Sequence, residues 1–447
     1  MKARPLPLVL FALAAALFAH TVGFDFVNWD DFDHLWRNPN IAAPDPSASS
    51  FWNSLGYTTI VTNLTYSLNH ALHGFTPAGY HAVNVFLHAL NVVLVFMLLP
   101  RLGIARLFAV VGALIFATHP LVAEPVSWIV GRKDLLATTF ALGALYHWLA
   151  RGPTLRTDVL ANMLFVCAAF SKASVFAIPV AVVLIRGFSR RSILAILPSL
   201  MIVVGLSVFM AASPAAHLAI AKDAVAPFPL RVFLTLGLKF TLFFPPFDLR
   251  PVYIHDTPSW TDATAIIGIA GVVALVAFVL LRRSRASRAW PLLLLFGAAL
   301  APGANIIPMT HDVGDAHLYL PLVFVAALIA LALARATTSL ARSVRFIAAA
   351  VLPLTFAPFC LTQTEIWRNG VALWQHTARA YPLSPEICRL HAGAYALADR
   401  PALALTHLEG CAARLGNRRA FLKAMRLAAE RAGETEKARA LKAEIAQ

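Results

Sequence analysis

Stretches of about 20 mainly apolar residues recur along most of this 447-residue chain, and that is the length an α-helix needs to cross the hydrocarbon core of a bilayer. A backbone in lipid must satisfy its own hydrogen bonds, so the chain is expected to be an all-α, polytopic helical bundle. A single water-soluble core is excluded. The balance of residues agrees: 59% are hydrophobic and 13% charged, with a mean hydropathy of +0.71. The net charge is +15, but the Lys and Arg fall in short runs between apolar segments and in the C-terminal tail. Membrane topology accounts for such runs through the positive-inside rule, and nucleic acid is not expected as a partner.

The basic segments 101–106, 151–156, 186–191, 282–288 and 335–345 are therefore expected on the cytoplasmic side. The segments 24–80, 119–133, 171–172, 213–230, 247–262 and 305–317 then face outward. This alternation gives about eleven crossings, with the N-terminus inside and the C-terminal tail outside. The first apolar stretch, Leu6 to Val22, reads as an uncleaved span, because Phe24-Asp25-Phe26 offers no small-residue cleavage site. Segment 232–244 has both flanks outside and is expected to be interfacial or re-entrant. Segments 157–170 and 173–185 are short, and are expected to be thinly crossing helices that meet at Lys172.

Near residue 365 the composition changes, dividing the chain into a membrane domain, 1–364, and a charged helical tail, 365–447. In the tail, Asp399-Arg400-Pro401 reads as a turn between two helices. Gly433 and Ala438 repeat Asp399 and Ala404 at an offset of 34 residues, the period of a tetratricopeptide repeat. Cys388 and Cys411 sit about equally far before and after that turn, on facing sides of the hairpin, where a disulfide can form. The alternative is two small buried residues that happen to be cysteine. Cys167 and Cys360 lie in apolar spans and are expected to stay thiols.

Chemistry-bearing residues concentrate in the outward segments. The first holds Asp30 and Asp31, adjacent carboxylates just beyond a span, where like charge and partial burial separate two pKa values for base catalysis. Asp33 makes an Asp-x-Asp with Asp31, a pattern a divalent cation can use; no other cofactor is called for. His81, Asn84, His88 and Asn91 form one polar helix face. His88 and Asn91 are expected to bond between helices, while His81, nearest the outer surface, is a substrate-pocket candidate. The second outward segment carries His119, Glu124, Arg132, Lys133 and Asp134. Arg132 and Lys133 at a helix start form a candidate phosphate clamp and run against the positive-inside rule, as do Lys172 and Arg250.

In this order, Phe26-Val27-Asn28-Trp29-Asp30-Asp31, Asn63 to Asn69, Gly79-Tyr80-His81-Ala82-Val83-Asn84, Phe116 to Pro120, Glu124, Gly131 to Asp134, Ser171-Lys172, Pro246 to Tyr253, Asp315, Tyr319-Leu320-Pro321 and Trp367-Arg368 resemble the transmembrane and tetratricopeptide-repeat O-mannosyltransferase family and its bacterial relatives, within the GT-C glycosyltransferase superfamily. The resemblance implies an inverting transfer from a polyprenyl-phosphate-linked sugar to a Ser or Thr hydroxyl of a protein, at the outer face of a bacterial inner membrane. It implies Asp30, with Asp31 beside it, as the catalytic carboxylate. It implies Arg132, Lys133, Lys172, Arg250 and His317 as donor-phosphate ligands, and His81, His119, Glu124 and Asp315 as pocket residues. The tail would receive the protein acceptor.

The chain departs from the family pattern at Ala316-His317, where Arg-Tyr usually follows the Asp, at Ala173, where a carboxylate often follows the Lys, and at Val61, where Pro is usual. The alternatives are a glycosyltransferase acting on a lipid or surface glycan, and a non-catalytic membrane scaffold that keeps the fold.

Overall fold

In the computed structural model, residues 5–45, 59–150, 152–212, 226–244, 249–254, 258–281, 287–306 and 314–446 are described. Most of the expected outer segment 213–230 lies outside these residues. So do parts of segments 24–80, 247–262, 282–288 and 305–317, residue 151, and Pro246 to Asp248 of the resemblance motif.

The described residues are helical, with no strand among them. The membrane part contains α1 (Leu6–Phe18), α2 (Ile60–His73), α3 (Pro77–Leu98), α4 (Arg106–Thr118), α5 (Arg132–Trp148), α6 (Leu155–Ala169), α7 (Ile178–Arg186), α8 (Arg190–Ala211), α9 (Leu230–Leu242), α10 (Ala263–Leu281), α11 (Ala289–Leu300), α12 (Tyr319–Ala336) and α13 (Arg342–Ile366). Among the described residues six segments are long and apolar enough to cross a membrane: Leu6–Gly23, Pro77–Leu102, Arg190–Ala211, Ala263–Leu281, Asp315–Ala336 and Ser343–Ile366. A seventh arises if α4 and the Pro120–Ser127 segment, bent by 57°, count as one. The fuller tally of about eleven expected from charge alternation needs shorter helices as well, such as the 15-residue α6 and the 9-residue α7. Lys172 lies in the turn between those two, as the sequence suggested.

Helix α3 lies at the centre, packed on α1, α4 and α5. Its polar face is used between helices. His88 Nδ1 and Tyr319 Oη are 2.8 Å apart, Asn91 Nδ2 donates to Leu135 O and Tyr319 Oη, and Asn84 Nδ2 donates to Trp128 O at 2.9 Å. Around these polar ties an apolar core runs continuously from Leu10 to Cys360. Helices α9 and α10 approach closely because Gly237 faces Thr264 O and Gly268 faces Phe233 O; a Cβ on either glycine would collide with backbone.

The tail comprises α14 (Gly370–Ala380), α15 (Pro385–Leu397), α16 (Pro401–Leu415), α17 (Leu422–Arg431) and α18 (Thr435–Ala446). Asn369 and Ser384 cap α14 and α15 through their side chains, and Pro385 and Pro401 occupy first-turn positions, where no backbone N–H is needed. Helices α15 and α16 pack as one pair, α17 and α18 as another. Asp399 and Gly433, the 34-residue pair, both take left-handed φ, +56° and +78°, and Ala404 and Ala438 are both buried. Cys388 and Cys411 are joined as a disulfide, with Cα atoms 6.4 Å apart, while Cys167 and Cys360 are free.

Tail and bundle share a small core of Val27, Trp128, Trp367, Leu373, Trp374 and Ile387. Asn28 closes it: its Nδ2 donates to Leu390 O at 2.8 Å and its Oδ1 accepts from Trp374 Nε1 at 2.9 Å. The acidic loop is thereby clamped by the tail.

Candidate active site

The first outward loop leaves α1 through a short turn and is pinned where Asp25 N–H donates to Arg368 O at 2.9 Å. Asp30 is half-buried. Asp31 is buried, and its Oδ2 accepts the Val27 N–H at 2.8 Å while Oδ1 has no partner. Burial pushes the Asp31 carboxyl up to about 7, against the pull of the Val27 hydrogen bond and with a further push from Asp30. Asp33 does not extend the pair, because its carboxylate bonds Arg37 Nη1 at 2.6 Å on the exposed side of the turn. His34, half-buried nearby, is driven down to about 3 by desolvation first and by Lys133 and Lys172 second, so it is a neutral imidazole beside two ammonium groups.

The second outward segment folds back tightly. A Cβ on Gly131 would lie 2.6 Å from Pro125 Cα, so only glycine lets α5 begin there. This start delivers Arg132, Lys133 and Asp134 to three different environments. Arg132 is fully buried: Nε donates to Asn84 Oδ1 at 3.0 Å, Nη1 to Asn69 Oδ1 at 2.5 Å and Nη2 to Tyr80 O at 2.8 Å, with the guanidinium 4.7 Å from the Tyr66 ring centre. The expectation of a phosphate ligand is corrected here. Its fork is saturated by α2 and α3, and it serves as a tie inside the bundle.

Lys133 lies half-buried, 5.3 Å from the Trp128 ring centre, within electrostatic reach of Asp30, Asp134, Glu124 and Lys172. It forms no ion pair among the described residues. Lys172, in the turn between α6 and α7, bonds both oxygens of Asp134. A third lysine completes the group. Lys239 of α9 is fully buried, and its single hydrogen-bond acceptor among the described residues is Gly303 O. Lys172 and Asp134 are within its electrostatic reach. A Cβ on Gly303 would lie 2.6 Å from Lys239 Nζ and 3.7 Å from His317 Cβ, so the glycine lets lysine and histidine converge on one turn. The sequence reading did not single out Lys239. The available signal was a lone cation in an apolar segment flanked outside on both ends, a residue expensive to bury without use.

Glu124 and Asp315 come together where Glu124 Oε2 accepts the Asp315 N–H at 3.1 Å, and Asp315 Oδ1 accepts from Tyr253 Oη at 2.8 Å. Tyr253 Oη in turn accepts the Arg250 N–H at 3.1 Å. The Arg250 guanidinium is 5.6 Å from the ring centre of Tyr381 in the tail, and His376 Nε2 bonds Leu249 O at 3.1 Å, so this loop is held by the tail. His81 is 1% exposed, packed edge-on to Phe24, with both ring nitrogens unpartnered. His119, also buried, bonds Phe243 O and the Leu121 N–H and forms the joint of the bent α4 segment. Among the described residues the only grouping of three His, Cys or carboxylate side chains with ligand atoms within 4.8 Å is Cys388, His407 and Cys411 in the tail, where the two sulfurs are already spent on the disulfide.

The molecule is thus an all-helical protein with several membrane-competent helices, carrying acidic loop residues and a lysine cluster at one end of the bundle. No family model matches the chain, and no solved structure matches it. Curated proteins do. Protein O-mannosyl-transferase F38B6.6 of Caenorhabditis elegans is 33% identical over 152 residues, covering 31% of this chain and 22% of that protein. Protein O-mannosyl-transferase TMTC2 of Mus musculus is 34% identical over 170 residues, covering 34% and 20%, and Tmtc1 of Drosophila melanogaster is 32% identical over 173, covering 35% and 20%. Over about a third of its length, then, this chain is similar to curated proteins named protein O-mannosyl-transferases. The match spans about a fifth of the relatives' own length.

Proposed function

We propose that the protein is an inverting GT-C glycosyltransferase that moves a sugar, mannose by analogy with the names of its relatives, from a polyprenyl-phosphate carrier to a protein hydroxyl outside the cytoplasm. The observation that carries this reading is the placement of Asp30 within electrostatic reach of Lys133, itself beside Lys172, at one end of a helical bundle suited to lipid. An acid facing a cation cluster can do two jobs at once. The acceptor oxygen attacks the anomeric carbon and its proton passes to the Asp30 carboxylate. The bond from that carbon to the phosphate oxygen breaks, and its electron pair leaves on the lipid phosphate, whose growing charge is met by Lys133, Lys172 and Lys239. Asp31, with its raised pKa, would orient or hold Asp30 rather than share its role.

Arg250 and His317 remain proposed at the rim of the phosphate site, and Glu124 and Asp315 on the acceptor side. The tail, 365–447, is proposed as a tetratricopeptide-like extracytoplasmic domain that presents the acceptor, since helical-repeat surfaces bind extended peptides. The full topology of about eleven spans in a bacterial inner membrane belongs to the same proposal. The test is direct. Purified protein in nanodiscs is given radiolabelled polyprenyl-phosphate mannose and a Ser/Thr-rich acceptor peptide, and the labelled peptide is counted. Neither transfer nor donor hydrolysis would refute the enzyme and leave the scaffold reading. Label on co-extracted lipid or glycan alone would replace the acceptor.

A further inference from the structure

The helices that begin or end at the acidic site have their other ends together. Helix α5 runs from Arg132 to Trp148, α6 from Leu155 to the turn before Lys172, and α7 ends at Arg186; α8 starts at Arg190, and α11 starts at Ala289 and leads to the Gly303 turn. At that opposite end lies a cavity of about 510 Å³, walled by Arg101, Arg186, Arg191, Arg288, Trp148 and Ser192. Among the described residues no carboxylate lines it.

The four arginines are arranged rather than scattered. Arg186 Nη1 bonds Asp158 Oδ1 at 3.0 Å, and both side chains are 10% exposed. Arg191 Nη2 donates to Pro153 O at 2.6 Å, and the Arg101 guanidinium sits 3.7 Å from the Tyr146 ring centre. The Arg288 stem lies against Gly103, where a Cβ would stand 3.3 Å from its Cδ; Gly103 has a φ of +83°. Four guanidinium groups against the one Asp158 leave three positive charges unmatched around one hollow. Like charges so gathered repel, and the arrangement is relieved when an anion enters. The rim identifies the anion's other half. Leu155 and Phe188, chain neighbours of lining residues, are 81% and 75% exposed, and Leu194, Leu197 and Met201 continue an exposed apolar face along α8.

We propose that this cavity binds the phosphate-bearing headgroup of an anionic glycerophospholipid, whose acyl chains lie along α8. The site is separate from the acidic loop and independent of the transferase reading. Basic residues on a cytoplasmic face also serve topology alone, which gives a control: Arg335, exposed, and Arg345, half-buried, lie in the basic segment 335–345 and outside the cavity.

The experiment takes delipidated full-length protein and follows retention of phosphatidylglycerol against phosphatidylcholine by native mass spectrometry, with lipid-dependent thermal shifts alongside. Wild type should prefer phosphatidylglycerol. Arg101→Gln with Arg288→Gln should lose roughly five-fold of that preference per arginine removed, while Arg335→Gln with Arg345→Gln should lose none. Arg288→Gln alone, whose stem rests on the bundle surface, keeps the test open if the double variant fails to fold. No preference in wild type, or an equal loss in the control, would overturn the site. Stabilisation by inorganic phosphate with no preference among lipids would overturn the lipid and leave a small-anion site.

Discussion

Lys172 Nζ donates to both carboxylate oxygens of Asp134, at 2.6 and 2.8 Å, joining the start of α5 to the turn between α6 and α7. The carboxylate is 4% exposed and the ammonium side chain 16%. The pair fixes the position of Lys172 while Asp134 already offsets its charge, which shifts the burden of any incoming anion toward Lys133 and Lys239.

Breaking that pair from one side strands a buried charge. Lys172→Ala or Asp134→Ala alone should each lower stability by about 3 to 5 kcal/mol, whereas the double substitution should lose clearly less than their sum. Denaturation of the four proteins in one detergent checks this, and strict additivity would refute the coupling.

Asp30→Asn keeps shape but takes up no proton at neutral pH, so transfer should fall by about 10²- to 10⁴-fold with donor affinity little changed. Asp31→Asn should be milder. Turnover of Asp30→Asn at the wild-type rate, in the nanodisc assay, would remove the proposed base.

The Asp31 carboxyl stands at about 7 in the folded chain against an ordinary 3.8. Between those values the folded chain holds a proton that the unfolded chain has released. Stability should therefore fall as pH rises from about 4 to 7, by on the order of 4 kcal/mol, and level off above. Asp31→Asn has no such proton to lose. Unfolding midpoints measured from pH 4.5 to 7.5 should diverge between the two proteins; parallel curves would contradict the buried titration.

Lys239→Met keeps the length of the side chain and removes a buried charge with one carbonyl acceptor. The fold should persist, while affinity for polyprenyl phosphate should drop by about 1.5 to 3 kcal/mol, the contribution of a charge-assisted hydrogen bond. Polyprenol, which lacks the phosphate, should bind both proteins alike. Equal phosphate affinity would assign Lys239 to capping the Ala301–Gly303 turn.

The Cys388–Cys411 bridge closes a loop with a sequence separation of 23 residues. Its removal by Cys388→Ser with Cys411→Ser should destabilise the tail by roughly 3 kcal/mol. Peptide mapping without reductant, paired with tail-specific hydrogen exchange, checks both halves, and free thiols at both positions in protein from an oxidising compartment would end the argument.

Apolar segment length and period determined the helical class and the pairing geometry of Cys388 and Cys411, because each follows from spacing along one or two helices. The 34-residue recurrence paired Asp399 with Gly433, and the structure adds that both take left-handed φ, a backbone feature the recurrence did not itself specify. What a charged side chain faces is not local. Arg132 and Lys133 are neighbours of the same sign, yet one is spent on Asn84, Asn69 and Tyr80 while the other stays unpaired beside Asp30. Consecutive helix positions point about 100° apart, so only the packing of α2 and α3 decided which of the two met partners. Lys239 joined the site for the same reason: the close glycine-faced packing of α9 on α10 and the bare Gly303 turn bring it to Lys172, from 67 positions away in the chain.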